Sequence, residues 1–227
     1  KLHGGAFGDR GGIRPDKETL EAENVEATKT GAKTNLDRHI KNMAAFGIPV
    51  VVSINKFASD TDAEIAAIRD CAHESGATSV CITEVHANGG EGGKELAQAV
   101  VKAVQNHIAS GRPFIPLFTP EEDVLEKATA IATRMYKADG ISMTAKAKKE
   151  LEKIRSWGYG SLPVCMAKTQ YSFSHDASLL GAPAGFTVPI REFRLNAGAG
   201  FVVAVLGNMM TMPGLPKRPA ALDMDMD

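Results

Sequence analysis

Residues 48–54 read Ile48-Pro49-Val50-Val51-Val52-Ser53-Ile54, a nearly continuous β-branched run that predicts a strand. Continuous rather than alternating apolar character suits a strand buried on both faces of a parallel sheet. Upstream, residues 18–46 carry helical spacing, with an interruption expected near Gly31, and Gly47 and Pro49 stop the helix. Downstream, residues 60–75 have helical spacing (Ile65, Ile68, Cys71, Ala72) behind an acidic cap at Asp60 or Asp62. A second apolar run, Ser79 to Val85, predicts the next strand, residues 86–93 its loop, and Lys94 to about His107 another helix. Strand, helix, strand, helix at this spacing is the pattern of a doubly wound α/β unit.

Beyond residue 110 the pattern changes. Residues 111–120 contain three prolines and read as a linker. Helices are expected at 120–137 and 144–156, and short strands at 162–168, 186–195 and 201–206. The last two flank Asn196-Ala197-Gly198-Ala199-Gly200, a hairpin turn. The expectation is therefore two domains, 1–110 and a smaller α+β domain at 111–227. Residues 3–16, rich in glycine and charge, read as a loop.

The composition narrows the function. Apolar residues are 44% and charged residues 23%, ordinary for a globular chain, and the net charge of −1 gives no basis for nucleic-acid or membrane-surface binding. No apolar run approaches the roughly 18 residues of a membrane span. Cys71, Cys81 and Cys165 form no CxxC pair, and the six histidines form no HxxxH or HExxH pair, so no metal site is indicated. An odd number of thiols fits a reducing, cytoplasmic compartment. The chain opens in KLHGG without methionine and stops in an acidic run, so a segment of a longer protein is the expectation.

Ligands of open α/β sheets bind beyond the carboxyl ends of the strands. Two loops lie there. Asn55-Lys56-Phe57-Ala58 places an Asn-Lys pair after a strand as in GTPases, but Ala58 stands where a guanine-reading aspartate belongs. Phe57 either stacks on a planar ligand ring or caps the core. The second loop, His86 to Lys94, includes Gly89, Gly90, Glu91 and Gly92. It misses the phosphate-loop pattern G-x-x-x-x-G-K-[ST], because Asn88 replaces the first glycine and Glu95 the hydroxyl residue that would bind magnesium. A third loop, Met166 to His175, gathers a lysine, hydroxyls and a histidine, and either binds anions or packs between domains.

In order, KLHGG (1–5), FGIPVVVSINKF (46–57), DTDAE (60–64), GGEGG (89–93), LPVCMAKTQYSFS (162–174) and the TMPGLPKRPA of residues 211–220 resemble the formate–tetrahydrofolate ligases, over essentially the whole chain. The resemblance implies ATP-dependent ligation of formate to tetrahydrofolate through formyl phosphate. It implies magnesium with ATP, use of a monovalent cation, and self-association into a homo-oligomer. It assigns the pterin to a sandwich between Phe57 and the position of His86, with Ile82 as apolar neighbour and Ala58 adjacent. Here His86 replaces the family's tryptophan, and Ala58 stands where proline is common. By the same resemblance the phosphate loop and the groups around formyl phosphate lie upstream of Lys1, and residues 1–110 complete the sheet of a phosphate-loop-type domain. A non-catalytic folate-binding or assembly module from an inactive paralogue is the alternative.

Overall fold

The computed structural model describes residues 17–207; the motifs at 1–5 and 211–220 and the loop at 3–16 lie outside the described residues. The architecture is mixed α/β with small sheets. Strand β1 (Val51–Asn55) and strand β2 (Ser79–Thr83) pair in parallel, Val51 opposite Ser79 and Asn55 opposite Thr83. Between them runs α4 (Asp62–Glu74), capped by the Thr61 hydroxyl, which accepts from Glu64 N at 3.3 Å. Helix α6 (Lys94–Ser110) follows β2. The expected strand–helix–strand–helix unit is therefore present.

Ahead of β1 stand α1 (Lys17–Glu21), α2 (Val25–Gly31) and α3 (Asp37–Ala44). Asn24 caps α2, its side chain accepting from Ala27 N at 2.9 Å. The interruption expected near Gly31 is a π turn over Ala32–Leu36 that joins α2 to α3 without a break in direction. The wider break lies earlier, between Glu21 and Val25.

One expectation for β1 is overturned. It is not buried on both faces: Val52 and Ile54 are buried, while Ser53 and Asn55 are exposed. Val52, Ile54 and Val80 share a core with Ile40, Ile65 and Ala72 from α3 and α4. On the other face Cys81 of β2 meets α6, its thiol 4.0 Å from Glu95 O. That cover leaves Ser53 and Asn55 of β1 open.

Residues 111–120 carry no regular element but are pinned at both ends. Phe114 stacks on Phe46 with centroids 5.5 Å apart, and Ile115 N donates to Phe46 O at 2.8 Å. Arg134 Nη1 donates to Leu117 O at 2.5 Å.

The remaining elements are α7 (Val124–Ala130) running into a π turn at Ile131–Met135, β3 (Gly140–Met143), α8 (Ala145–Ser156), β4 (Val164–Ala167), β5 (Thr187–Ile190), β6 (Glu192–Asn196) and β7 (Phe201–Val205). β3 pairs with β5 in parallel; β4 and β6 flank β7, parallel and antiparallel respectively. The β6–β7 hairpin turns at 196–200 as expected, with Gly200 N donating to Asn196 O at 2.9 Å. The single strand expected at 186–195 is two strands in different sheets, parted at Arg191, whose N donates to Val205 O at 2.8 Å. β3 was not expected. These elements enclose a second core that includes Val124, Leu151, Val188, Phe193 and Val202.

Asp123 ties α7 to α8. Its carboxylate accepts from Leu125 N at 2.8 Å and from Arg155 Nε and Nη2 at 2.9 and 2.6 Å. The Arg155 hydrogen bonds outweigh partial burial and hold the Asp123 carboxyl below its ordinary value. A carboxyl depressed in the folded state stabilises above its unfolded pKa of about 3.9, and that stability is lost as pH falls through the folded value. Asp123→Ala should therefore cost about 1–2 kcal/mol at pH 7, mostly the cap, since the ion pair is partly solvent-screened. Urea melts should show the gap between the two proteins shrinking on acidification below pH of about 4. A gap that stays constant to acid would contradict the ion-pair contribution.

Candidate functional site at the carboxyl ends of the first two strands

The parallel register brings the loops after β1 and β2 side by side. Lys56 N donates to Thr83 O at 3.0 Å, and the Ser53 and Thr83 hydroxyls meet at 3.0 Å. Beyond Asn55 the chain turns tightly. Phe57 N donates to the Asp60 carboxylate at 2.8 Å, and Asp60 N returns to Phe57 O at 3.0 Å. This reciprocal pair fixes the turn and holds the Phe57 ring outward, 55% exposed. Among the described residues the Phe57 ring packs into neither core. Ala58 is exposed beside it.

The segment after β2 is not the open loop expected. Val85–Asn88 forms a short helix, α5, and Gly89–Gly93 a 3₁₀ turn that leads into α6. Glu84 N donates to Gly92 O at 3.1 Å. A Cβ at Gly92 would lie 2.5 Å from the Glu84 carbonyl, so only glycine allows the turn to fold back on the strand end. Glu91 is exposed and paired with Lys94 at 2.9 Å. Gly89, Gly90 and Gly92 are all taken up in this turn. No group of three or more His, Cys, Asp or Glu among the described residues could hold a metal ion.

His86 is exposed on α5. Ile82 is half-buried against the first core. Phe57 and His86 thus follow the ends of adjacent strands, both open to solvent; they form no ring pair in the chain by itself. Asn55 and Lys56 sit at the strand end, and Asn55 also lines a cavity of about 490 Å³ beside β1. Phe57, Ala58, Ile82 and His86 do not line that cavity.

Two cavity-lining residues escaped the sequence reading. Glu64 is 3% exposed, and its carboxylate accepts from Asn24 N at 2.6 Å. The Thr28 hydroxyl is buried without a hydrogen-bond partner. Thr61-x-x-Glu64 is a capping-box pattern, which signals a local cap rather than a reach of 40 residues.

The third loop is committed to packing. Lys168 Nζ donates to Thr169 O at 2.7 Å and to Ser172 O, and lies 5.4 Å from the Tyr136 ring centroid. Burial lowers the Lys168 pKa and raises that of Tyr136 to about 12. Phe173 meets His39 of α3 at 4.7 Å, and Asn42 Nδ2 donates to Met135 O at 3.0 Å. This loop joins the two cores. Burial, and secondarily the Lys168 charge, lowers the His39 pKa.

No described helix is long and apolar enough to cross a membrane, and all three cysteines are free thiols. Residues 1–227 match the protein family described as formate–tetrahydrofolate ligase. The chain is 46% identical over 222 residues to the formate–tetrahydrofolate ligase of Granulibacter bethesdensis, covering 97% of this chain and 36% of the relative. It is 47% identical over 226 residues to that of Symbiobacterium thermophilum (99% and 38%), and 48% identical over 211 residues to that of Maricaulis maris (93% and 37%). It spans just over a third of the length of these relatives. With a match along its whole length and identities of this order, the chain belongs to the formate–tetrahydrofolate ligase family.

Proposed function

We propose that this chain is the folate-side portion of an ATP-dependent ligase that joins formate to tetrahydrofolate, giving 10-formyltetrahydrofolate, ADP and phosphate. The observation that carries the reading is the family match over residues 1–227, with Phe57 and His86 exposed beyond the ends of two adjacent parallel strands. Exposed aromatic faces at such a rim suit a flat heterocycle, and stacking there needs no movement of the core. Ile82 and Ala58 supply apolar surroundings, while Asn55, Lys56 and the Gly89–Gly92 turn frame the loops. In this reading residues 1–110 belong to the nucleotide- and folate-binding domain and residues 111–227 to a smaller α+β domain. ATP, its magnesium and formyl phosphate are handled by the part of the ligase outside this chain; a monovalent cation, a homo-oligomeric state and a cytoplasmic setting complete the proposal.

The test is formate-dependent ADP release by the 227-residue chain, and by the same chain joined to the upstream residues of the Symbiobacterium relative. The chain alone should give none above a blank, because its sequence contains no G-x-x-x-x-G-K-[ST] phosphate loop. The joined protein should turn over. ADP release from the chain alone would contradict the division of labour, and a joined protein that binds folate without turnover would favour a non-catalytic module.

A further inference from the structure

The Phe57 ring stands on a short span between two fixed points. On one side Lys56 N donates to Thr83 O at 3.0 Å, the last hold of β2 on the end of β1. On the other, the Thr61 hydroxyl accepts from Glu64 N at 3.3 Å and Thr61 O from Ile65 N at 3.0 Å, and α4 begins. Helix α4 is itself fixed: Ile65 and Ala72 lie in the first core, and the buried Glu64 carboxylate accepts from Asn24 N at 2.6 Å. Among the described residues, the hydrogen bonds that hold 57–60 between these points run between Phe57 and Asp60. Phe57 N donates to the Asp60 carboxylate at 2.8 Å, and Asp60 N donates to Phe57 O at 3.0 Å.

The ring packs into neither core and is 55% exposed, so its direction is set by this turn rather than by packing. An aspartate suits the place, because its short side chain reaches a backbone N–H three residues back without opening the turn. A carboxylate also accepts a stronger hydrogen bond from N–H than a neutral oxygen does. With the carboxylate gone, one backbone hydrogen bond remains across the span. A ring that must be ordered before it stacks binds more weakly, in proportion to the fraction of time it already stands correctly.

We infer that Asp60 is a positioning residue for tetrahydrofolate: its carboxylate keeps the 57–60 turn closed and so presents the Phe57 ring, already in place, to the pterin. Asp60 acts through Phe57 and does not touch the folate. The inference rests on the proposed folate reading for the ligand, and on this chain's geometry for the role of Asp60. Asp60 also borders the cavity beside β1, so a direct ligand contact is the competing role.

The experiment compares Asp60→Ala, Asp60→Asn, Phe57→Ala and the double variant Phe57→Ala/Asp60→Ala with the parent, in the full-length ligase. The tetrahydrofolate Kd, the KM of each substrate, Tm and exchange of the Phe57 amide are measured. Asp60→Ala should weaken tetrahydrofolate binding by about 3- to 10-fold, the loss expected when the ring stands correctly for about a third to a tenth of the time. The ATP KM and Tm should hardly move. Asp60→Asn keeps an oxygen acceptor and should restore most of the affinity. The Phe57 amide should exchange faster in Asp60→Ala and stay slow in Asp60→Asn. Adding Asp60→Ala to Phe57→Ala should weaken folate no further, because nothing is left to position.

Full tetrahydrofolate affinity in Asp60→Ala, beside a Phe57→Ala that weakens it, would overturn the inference and leave the folate reading standing. Additive losses in the double variant would also overturn it, by giving Asp60 a contact of its own with the ligand. So would a fall in Tm with every substrate weakened alike, the mark of a structural residue. An unchanged affinity in Phe57→Ala would instead remove the folate reading itself, and the inference with it.

Discussion

Lys127→Ala should lower stability by about 3–5 kcal/mol, the largest loss expected from any single substitution away from the loops after β1 and β2. Lys127 is 1% exposed, among the most buried large side chains of the described residues. Its ammonium donates to Pro120 O at 2.7 Å and Ser161 O at 2.5 Å and lies 5.8 Å from the Phe118 ring centroid. Removing it leaves two inward carbonyls without a donor and a cavity the length of the side chain. It also releases residues 111–120 from α7, since Pro120 is one of the anchored carbonyls. Lys127→Met restores volume but not the hydrogen bonds, and should recover roughly half of the loss. Denaturant melts of the three proteins read this directly. A loss under about 1 kcal/mol for Lys127→Ala would show that the carbonyls find water instead.

The second large effect concerns Phe57 in the full-length enzyme. Phe57→Ala should raise the tetrahydrofolate KM by roughly 10- to 100-fold, from a lost stack and lost buried area worth about 2–3 kcal/mol at about 1.4 kcal/mol per decade. The ATP KM should stay within about twofold. Because the ring is 55% exposed and held outward by the Phe57–Asp60 turn, Tm should hardly change. His86→Trp should shift folate the other way, since an indole presents a larger face than an imidazole. A destabilised enzyme with an unchanged folate KM would remove Phe57 from the site.

How much of this was legible depends on whether the deciding contact is local. β1, β2, α4 and α6 were readable because each is an apolar run or stripe bounded by its own Gly, Pro or cap. Gly140–Met143 was not, because GISM has no pattern of its own and becomes a strand only by pairing with β5, across more than forty residues. The run at 186–195 reads as one strand, yet splits at Arg191 because β7 captures that residue's N–H. Gly89–Gly93 looks like a loop until Gly92 is seen folded against Glu84. For the site, the rim positions of Phe57 and His86 follow from strand order, which periodicity supplies. Glu64 and Thr28 were invisible, because their surroundings are set by Asn24 and by the β1 edge, far away in sequence.

We propose that the pterin of tetrahydrofolate sits on the Phe57–His86 rim. A structure of the full-length ligase with tetrahydrofolate bound tests it most directly. The expected result is a pterin ring stacked on both side chains, with ring centroids roughly 4.5–7 Å apart, beyond the ends of β1 and β2. A pterin bound elsewhere, with Phe57 and His86 still open to solvent, would contradict it.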